Sequence, residues 1–381
     1  MKQYASLIVA STLVVWLCSP VSAQQSGVDD RARRMSEEAE ARGLADPYAG
    51  IHTEKGLIGG LYALRSTGVT TEPVRKAATD LLAVISSEQR GKALFAVDDA
   101  EWRKWMNQSF YVRQGVGFDE MDEEQRAAAF TLLRSSLSAR GLKLSRDIMK
   151  LNRTLGELND NDFKRFNEWL YWITVMGEPS STEPWGWQLD GHHLIINYFV
   201  LGDQVVMTPL FVGSEPVRAE AGKYAGTVIL QDEQDRGLAM LRSLDERQRK
   251  AAILEITKDG NNNLGEAFKD NFVLNYAGVS VSAFSDEQKT QLEELIQLYI
   301  GIMDDGHARV KMDQVLAHFE DTYFAWIGGL NDDSVYYYRI HSPVILIEFD
   351  HQRPANLRHL YPPVPNREHI HAVVRTPNGN D

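Results

Sequence analysis

Two long stretches of this chain run through the same succession of signals, and a chain built twice on one plan has to bury two similar sets of elements against each other. Ser86-Ser-Glu-Gln89-Arg90 opens a helical stretch, and Asp245-Glu-Arg-Gln248-Arg249 opens a similar one downstream. Asp122-Glu-Glu-Gln125-Arg126 begins an amphipathic run towards Ala139, and Ser285-Asp-Glu-Gln288-Lys289 begins another towards Met303, each with acids in the first turn, where the helix dipole favours them. A further helix ending in aromatics is expected in each half, at Trp169-Leu-Tyr-Trp172-Ile and Tyr323-Phe-Ala-Trp326-Ile. The spacing then becomes that of short strands. Trp185 to Val200, with Asp190-Gly-His192-His193, matches Tyr336 to His351, with Arg339-Ile-His341 and Glu348-Phe-Asp350-His351. Each half closes on a strand that stops at Thr-Pro, Gln204-Val-Val-Met-Thr208-Pro209 and Ala372-Val-Val-Arg375-Thr376-Pro377.

The fold this predicts is α+β with an internal duplication. Each half is a set of helices followed by a small antiparallel β-meander, and the two sheets meet at a central site. The expected divisions are a leader at 1–23, a helical lead-in at 24–78 with no counterpart, a first repeat at 79–213, a connector at 214–237 and a second repeat at 238–381.

The leader reading rests on Lys2 before an apolar run from Ala5 to Cys18, then Val21-Ser-Ala23 as the small residues a signal peptidase requires. Export to the periplasm or the outside is therefore expected. A lipoprotein is a weaker reading, because Leu17 stands before Cys18 where a small residue belongs. Loss of the leader removes the only cysteine, so disulfides and thiolate ligands are excluded from the mature chain. No later apolar run is long enough to span a bilayer. With 43% hydrophobic residues a sizeable core is available, and a formal net charge of −13 argues against a nucleic-acid track.

Six of the ten histidines, His192, His193, His341, His351, His369 and His371, fall in the strand-rich regions. His369 and His371 are two residues apart, so on a strand they point to one face and can converge on one ion. A divalent metal bound by His192, His193, His341, His369 and His371, drawn from both halves, is the central expectation. Glu348 and Asp350 are candidates for an oxygen ligand or general base, and Arg339 and Arg375 for a fork that holds a substrate carboxylate or phosphate. Each has a plainer alternative. A single histidine among aromatics more often bonds a carbonyl, and the arginines suit salt bridges to Glu348, Asp350 or Asp190. Tyr336, Tyr337, Tyr338, Trp185 and Trp187 suit core packing as well as a cleft. Neighbours in a strand face opposite ways, so His192 and His193 share a pocket only through a bulge, which Gly191 permits. In the second half Arg339, His341 and His351 share parity, and Glu348 and Asp350 take the other.

Copper, iron and zinc all suit such donors. Copper or iron oxidation is the favoured chemistry. Zinc-assisted hydrolysis, with Glu348 or Asp350 as base, and a non-catalytic carbohydrate-, peptide- or metal-binding protein are the alternatives. A small-molecule or carbohydrate substrate fits either enzyme. Haem-attachment, nucleotide and flavin motifs are absent. Asp259-Gly-Asn-Asn-Asn263-Leu-Gly-Glu266 lacks the acids and spacing of a calcium loop and reads as a turn. Asn152-Arg-Thr154 matches a glycan acceptor but lies in an expected helix.

Several of these segments recur together in one order. Trp185-Gly-Trp-Gln with Gly191-His-His193-Leu, Thr208-Pro-Leu-Phe-Val-Gly-Ser-Glu-Pro216, Tyr337-Tyr-Arg339-Ile, Ile347-Glu-Phe-Asp-His351 and His369-Ile-His371 with Arg375 resemble the uncharacterised secreted proteins grouped as domain of unknown function 3500. The resemblance spans most of the mature chain and implies a shared fold and site, with no activity attached.

Overall fold

The computed structural model describes residues 21–379. The expected leader, up to Pro20, lies outside the described residues. Helix α1 (Val21–Gly43) precedes a long irregular connection. The chain then forms α2 (Glu72–Val84), α3 (Ser87–Ala93), β1 (Leu94–Phe95), β2 (Val116–Gly117), α4 (Glu123–Ser136) and α5 (Ala139–Leu158). Five strands follow: β3 (Tyr171–Met176), β4 (Trp185–Gly191), β5 (Leu194–Leu201), β6 (Gln204–Val206) and β7 (Leu210–Ser214). A second run gives α6 (Gln231–Ser243), α7 (Glu246–Ala252), β8 (Ile253–Glu255), β9 (Val279–Ser280), α8 (Asp286–Ile300) and α9 (Asp305–Ala317). It ends with β10 (Tyr323–Gly328), β11 (Tyr336–His341), β12 (Leu346–His351) and β13 (Ile370–Arg375).

The helix starts follow from reciprocal capping. Ser86 with Gln89, Asp122 with Gln125, Asp245 with Gln248 and Ser285 with Gln288 each close a capping box, which satisfies two N–H groups of the first turn. The same glutamines then link helices in pairs. The Gln89 and Gln125 amides bond each other, as do those of Gln248 and Gln288 at 2.9 Å in both directions.

The strands form one mixed sheet of order β1-β3-β4-β5-β7-β13-β12-β11-β10-β8, in place of the two sheets expected. At its centre β7 runs antiparallel to β13, with Gly213 opposite His371 and Leu210 opposite Val374. At the flanks β1 lies parallel to β3, and β8 parallel to β10. Register sorts the side chains by face. Ile173, Leu189, Ile196, Val212, Ala372, Ile347, Tyr338 and Trp326 point into one large apolar cluster with the helices. The other face carries Asp190, Asn197, Phe211, His371, Arg375, Glu348, Asp350 and Arg339, and loops cover it.

Several expectations change here. The aromatics at Trp169–Ile173 and Tyr323–Ile327 lead into or form β3 and β10, the first strands of their meanders, because alternate residues face the helix layer and the loop-covered face. The strand that closes the first half is β7, not the Gln204–Pro209 segment, whose β6 is a short edge piece on β5. Helix α2 crosses the boundary drawn at 78, and α6 crosses the one at 237. Trp185, Trp187, Tyr336 and Tyr338 are core residues, and Tyr337, on the other face, is as deeply buried. Asn152 is buried in α5, where its amide donates to the Asn167 carbonyl, so it presents no glycan site.

Candidate metal centre

His192 and His193 lie in the two-residue turn between β4 and β5, not within a strand. His193 has a φ of 63°, a left-handed conformation that a non-glycine residue holds only when its surroundings demand it. Those surroundings are two backbone bonds: His193 N–H donates to the Asn107 carbonyl, and its carbonyl accepts from Gly213 on β7. The turn is thereby folded over the central pair of strands. His371 stands on β13 opposite Gly213, and His369 precedes that strand with the same parity. A glycine is required opposite, since a Cβ at Gly213 would meet the Ile370 carbonyl oxygen at 2.4 Å.

Three imidazoles converge as a result. The Nε2 atoms of His193 and His369 lie 3.2 Å apart, those of His193 and His371 3.1 Å, and those of His369 and His371 3.0 Å. All three side chains are buried, and these three residues are the group among the described residues that could hold a metal ion.

The ring orientations are set from outside. His369 Nδ1 lies 2.7 Å from the Arg353 carbonyl, and His371 Nδ1 lies 3.0 Å from Glu266 Oε1. A carbonyl only accepts, so His369 Nδ1 carries the proton and its Nε2 turns a lone pair inwards; His371 takes the same tautomer when Glu266 is ionised. Lone pairs 3.0 Å apart repel unless a cation lies between them. Burial pushes His369 down to about 4, helped by His371, and His371 down to about 3. His193 is also held well below its ordinary value by burial. All three are therefore neutral at neutral pH, the form that binds metals.

Three further carboxylates hold the loops that carry these partners. Glu215, just past β7, accepts from the backbone N–H groups of Ala355, Asn356 and Leu357, next to the Arg353 carbonyl. Glu348 accepts from the N–H groups of Leu264 and Gly265 and from the Tyr337 hydroxyl at 2.6 Å. Asp350 accepts from Asn262 N–H and pairs with buried Lys258 at 2.8 Å. Burial raises Asp350 to about 7. The Asn-rich turn read from the sequence is the loop so held, and it ends at Glu266, which burial raises to about 7.

The remaining candidates lie elsewhere. His192 stacks on His193 with ring centroids 4.0 Å apart, and its Nδ1 bonds Asn152 Oδ1 at 2.8 Å. His341 ends β11 at the other end of the sheet, opposite Leu346 and against Tyr276. Arg375 pairs with Asp270 and donates to the Gly265 and Glu266 carbonyls, while Asp190 pairs with Arg113. Arg339 faces Glu348 across β11 and β12. The parity expected for these strands changes because the turn at 342–345 resets it: Arg339, His341, Glu348 and Asp350 share one face and His351 takes the other. The sequence alone marks neither Glu266 nor Glu215: Glu266 ends the segment that reads as a turn, and nothing local distinguishes Glu215 beyond its place in a recurring motif.

Fold and site together define an α+β protein whose mixed sheet carries a buried three-histidine cluster at the end of its central strands. The family model described as "Protein of unknown function (DUF3500)" matches residues 67–381, and the chain belongs to that family. No curated protein and no solved structure matches it. No helix among the described residues is long and apolar enough to cross a membrane.

Proposed function

We propose that this is an exported metalloprotein in which His193, His369 and His371 hold one divalent first-row metal, and that the bound metal is catalytic. The observation that carries the reading is the near-equilateral Nε2 triangle with edges of 3.0–3.2 Å. Cis positions of an octahedral ion with bonds near 2.1 Å lie about 3.0 Å apart, and the edges of a tetrahedral zinc site are about 3.3–3.4 Å. A square-planar ion would stretch one edge to about 4 Å, so tetragonal copper fits less well than iron or zinc. A facial set of three leaves its remaining positions together on one side, as a catalytic centre requires.

An iron centre that performs oxidation is the leading chemistry, in keeping with the neutral nitrogen donors and the facial geometry shared with non-haem iron oxygenases. Zinc with a bound water, hence hydrolysis, is the second reading, favoured by the three-histidine donor set. In both, Glu266 and the Arg353 carbonyl orient the ligands, and Glu348, Asp350 and Glu215 hold the loops that supply them. The matching order of α2 to β7 and α6 to β13, with paired capping glutamines in each run, supports an ancestral duplication in which the second copy contributed two ligands and the first copy one. A small-molecule substrate that reaches the open side of the metal completes the proposal.

Elemental analysis of the exported protein tests it. Near-stoichiometric iron or zinc is expected, lost in His193→Ala and His371→Ala but kept in His192→Ala and His341→Ala. A metal-free protein that takes up neither ion on reconstitution overturns it. Bound metal with no exchangeable position, seen by spectroscopy of a cobalt-substituted sample, leaves a structural metal and overturns the catalytic part.

A further inference from the structure

Two of the three ligand rings are turned by a partner on Nδ1, the Arg353 carbonyl for His369 and Glu266 for His371. His193 is held by its faces. Four rings stand in a column there, Phe166, His192, His193 and Phe211, with successive centroids 5.7, 4.0 and 6.4 Å apart. The His193 plane lies 28° from that of His192 and 15° from that of Phe211. Neighbours on a strand would point apart, and the left-handed backbone of His193, with its φ of 63°, lets this pair stack instead. Backbone alone does not fix the ring, because the last torsion of a histidine side chain is broad. The 4.0 Å contact with His192 is the shortest in the column and supplies most of the restraint.

His192 is itself anchored. Its Nδ1 lies 2.8 Å from Asn152 Oδ1, and Asn152 Nδ2 donates to the Asn167 carbonyl, also at 2.8 Å. The second bond decides which end of the amide faces the ring. Oδ1 accepts, so His192 Nδ1 carries the proton. The Tyr171 hydroxyl on β3 donates to the His192 carbonyl at 3.0 Å and pins the backbone. His192 is 5% exposed and Asn152 4%, so neither the ring nor the amide has solvent to turn into. Helix α5, which carries Asn152, thereby reaches the metal ligand through one intervening ring.

We infer that His192 is a positioning residue for the metal: it sets the plane of the His193 ring, and Asn152 acts through it. The inference rests on the reading of His193, His369 and His371 as ligands. His192 is not a donor to the ion, so its loss leaves a site that still fills, with lower affinity and a less defined geometry. The stacked face does the holding. The Asn152 bond keeps that face in place, because a buried Nδ1–H without its acceptor would turn the ring towards another.

The test uses the full exported protein with cobalt(II), whose visible ligand-field bands report geometry and whose affinity is read by competition with a chromophoric chelator. His192→Ala removes the ring and should bind cobalt about tenfold more weakly, with shifted and broadened bands. His192→Phe restores a ring face that has no N–H to satisfy, and should return affinity to within about threefold of wild type and the bands to their wild-type positions. Asn152→Ala should weaken cobalt about three- to tenfold in the wild-type background, but by less than about twofold in His192→Ala, since it acts through that ring. Wild-type affinity and bands in His192→Ala overturn the inference. So does a folded His192→Phe that matches His192→Ala, or a loss of stability in both variants with the cobalt bands unmoved, which makes His192 a packing residue alone. A wild type that takes up no cobalt overturns the ligand reading and this inference with it, so the two failures are told apart.

Discussion

Glu266→Ala tests whether the histidine cluster is held from outside as the geometry implies. Glu266 Oε1 accepts from His371 Nδ1 at 3.0 Å, and it is the carboxylate that orients that ring. Removing it leaves an imidazole N–H in a buried site without its acceptor, which costs about 1–3 kcal/mol, and frees the ring to turn away from the other two. Loss of such an outer partner typically lowers metal affinity about 10–100-fold, equivalent to about 1.4–2.8 kcal/mol. The change should stay local, because the loop is held by its own backbone on Glu348 and Asp350. The assay is competition for zinc against a chromophoric chelator at one pH, with Glu266→Gln and His371→Ala alongside and circular dichroism to confirm folding. Glu266→Gln keeps an acceptor oxygen and should lose less than about tenfold. His371→Ala should lose most. If Glu266→Ala binds zinc as tightly as wild type while His371→Ala does not, the argument that the outer contact orients the ligand is refuted.

Two further perturbations follow from the loop-covered face. Glu348→Ala removes three bonds to a buried carboxylate, from Leu264, Gly265 and Tyr337, and should destabilise the protein by at least about 3 kcal/mol; an unchanged urea midpoint would contradict the loop-holding role. Burial raises Glu101 to about 8, so the folded chain keeps a proton there that the unfolded chain releases from its ordinary value upwards. Stability should then fall as pH rises towards 8, by at most about 1.4 kcal/mol per pH unit from this group, and Glu101→Gln should remove that slope, giving a higher melting temperature than wild type at pH 8 and no gain at pH 4.

Much of the site was legible because it depends on short-range geometry. His369 and His371 had to share a face if the segment was extended, and they do, with Nε2 atoms 3.0 Å apart. The capped helix starts at Ser86, Asp122, Asp245 and Ser285 were equally local. His193 could not be chosen over His192 by periodicity, because a left-handed turn residue obeys no strand parity. Glu348 and Asp350 invited a chemical role by their charge in an apolar run. Their partners turned out to be backbone N–H groups of a loop more than eighty residues away.

Local chemistry therefore determined the helix starts, the strand-rich segments, the family and the histidine pair at the start of β13. Each depends on side chains a few residues apart, whose relation is set by the 3.6- and 2-residue periods of the backbone. Only the tertiary structure decided that the strands form one sheet, that β7 rather than the Gln204 segment meets β13, and that this pairing carries His193 to His369 and His371 across 176 and 178 residues of chain. The physical reason is that a three-point site requires a common origin for its members, and strand register between distant segments, not sequence spacing, supplies it.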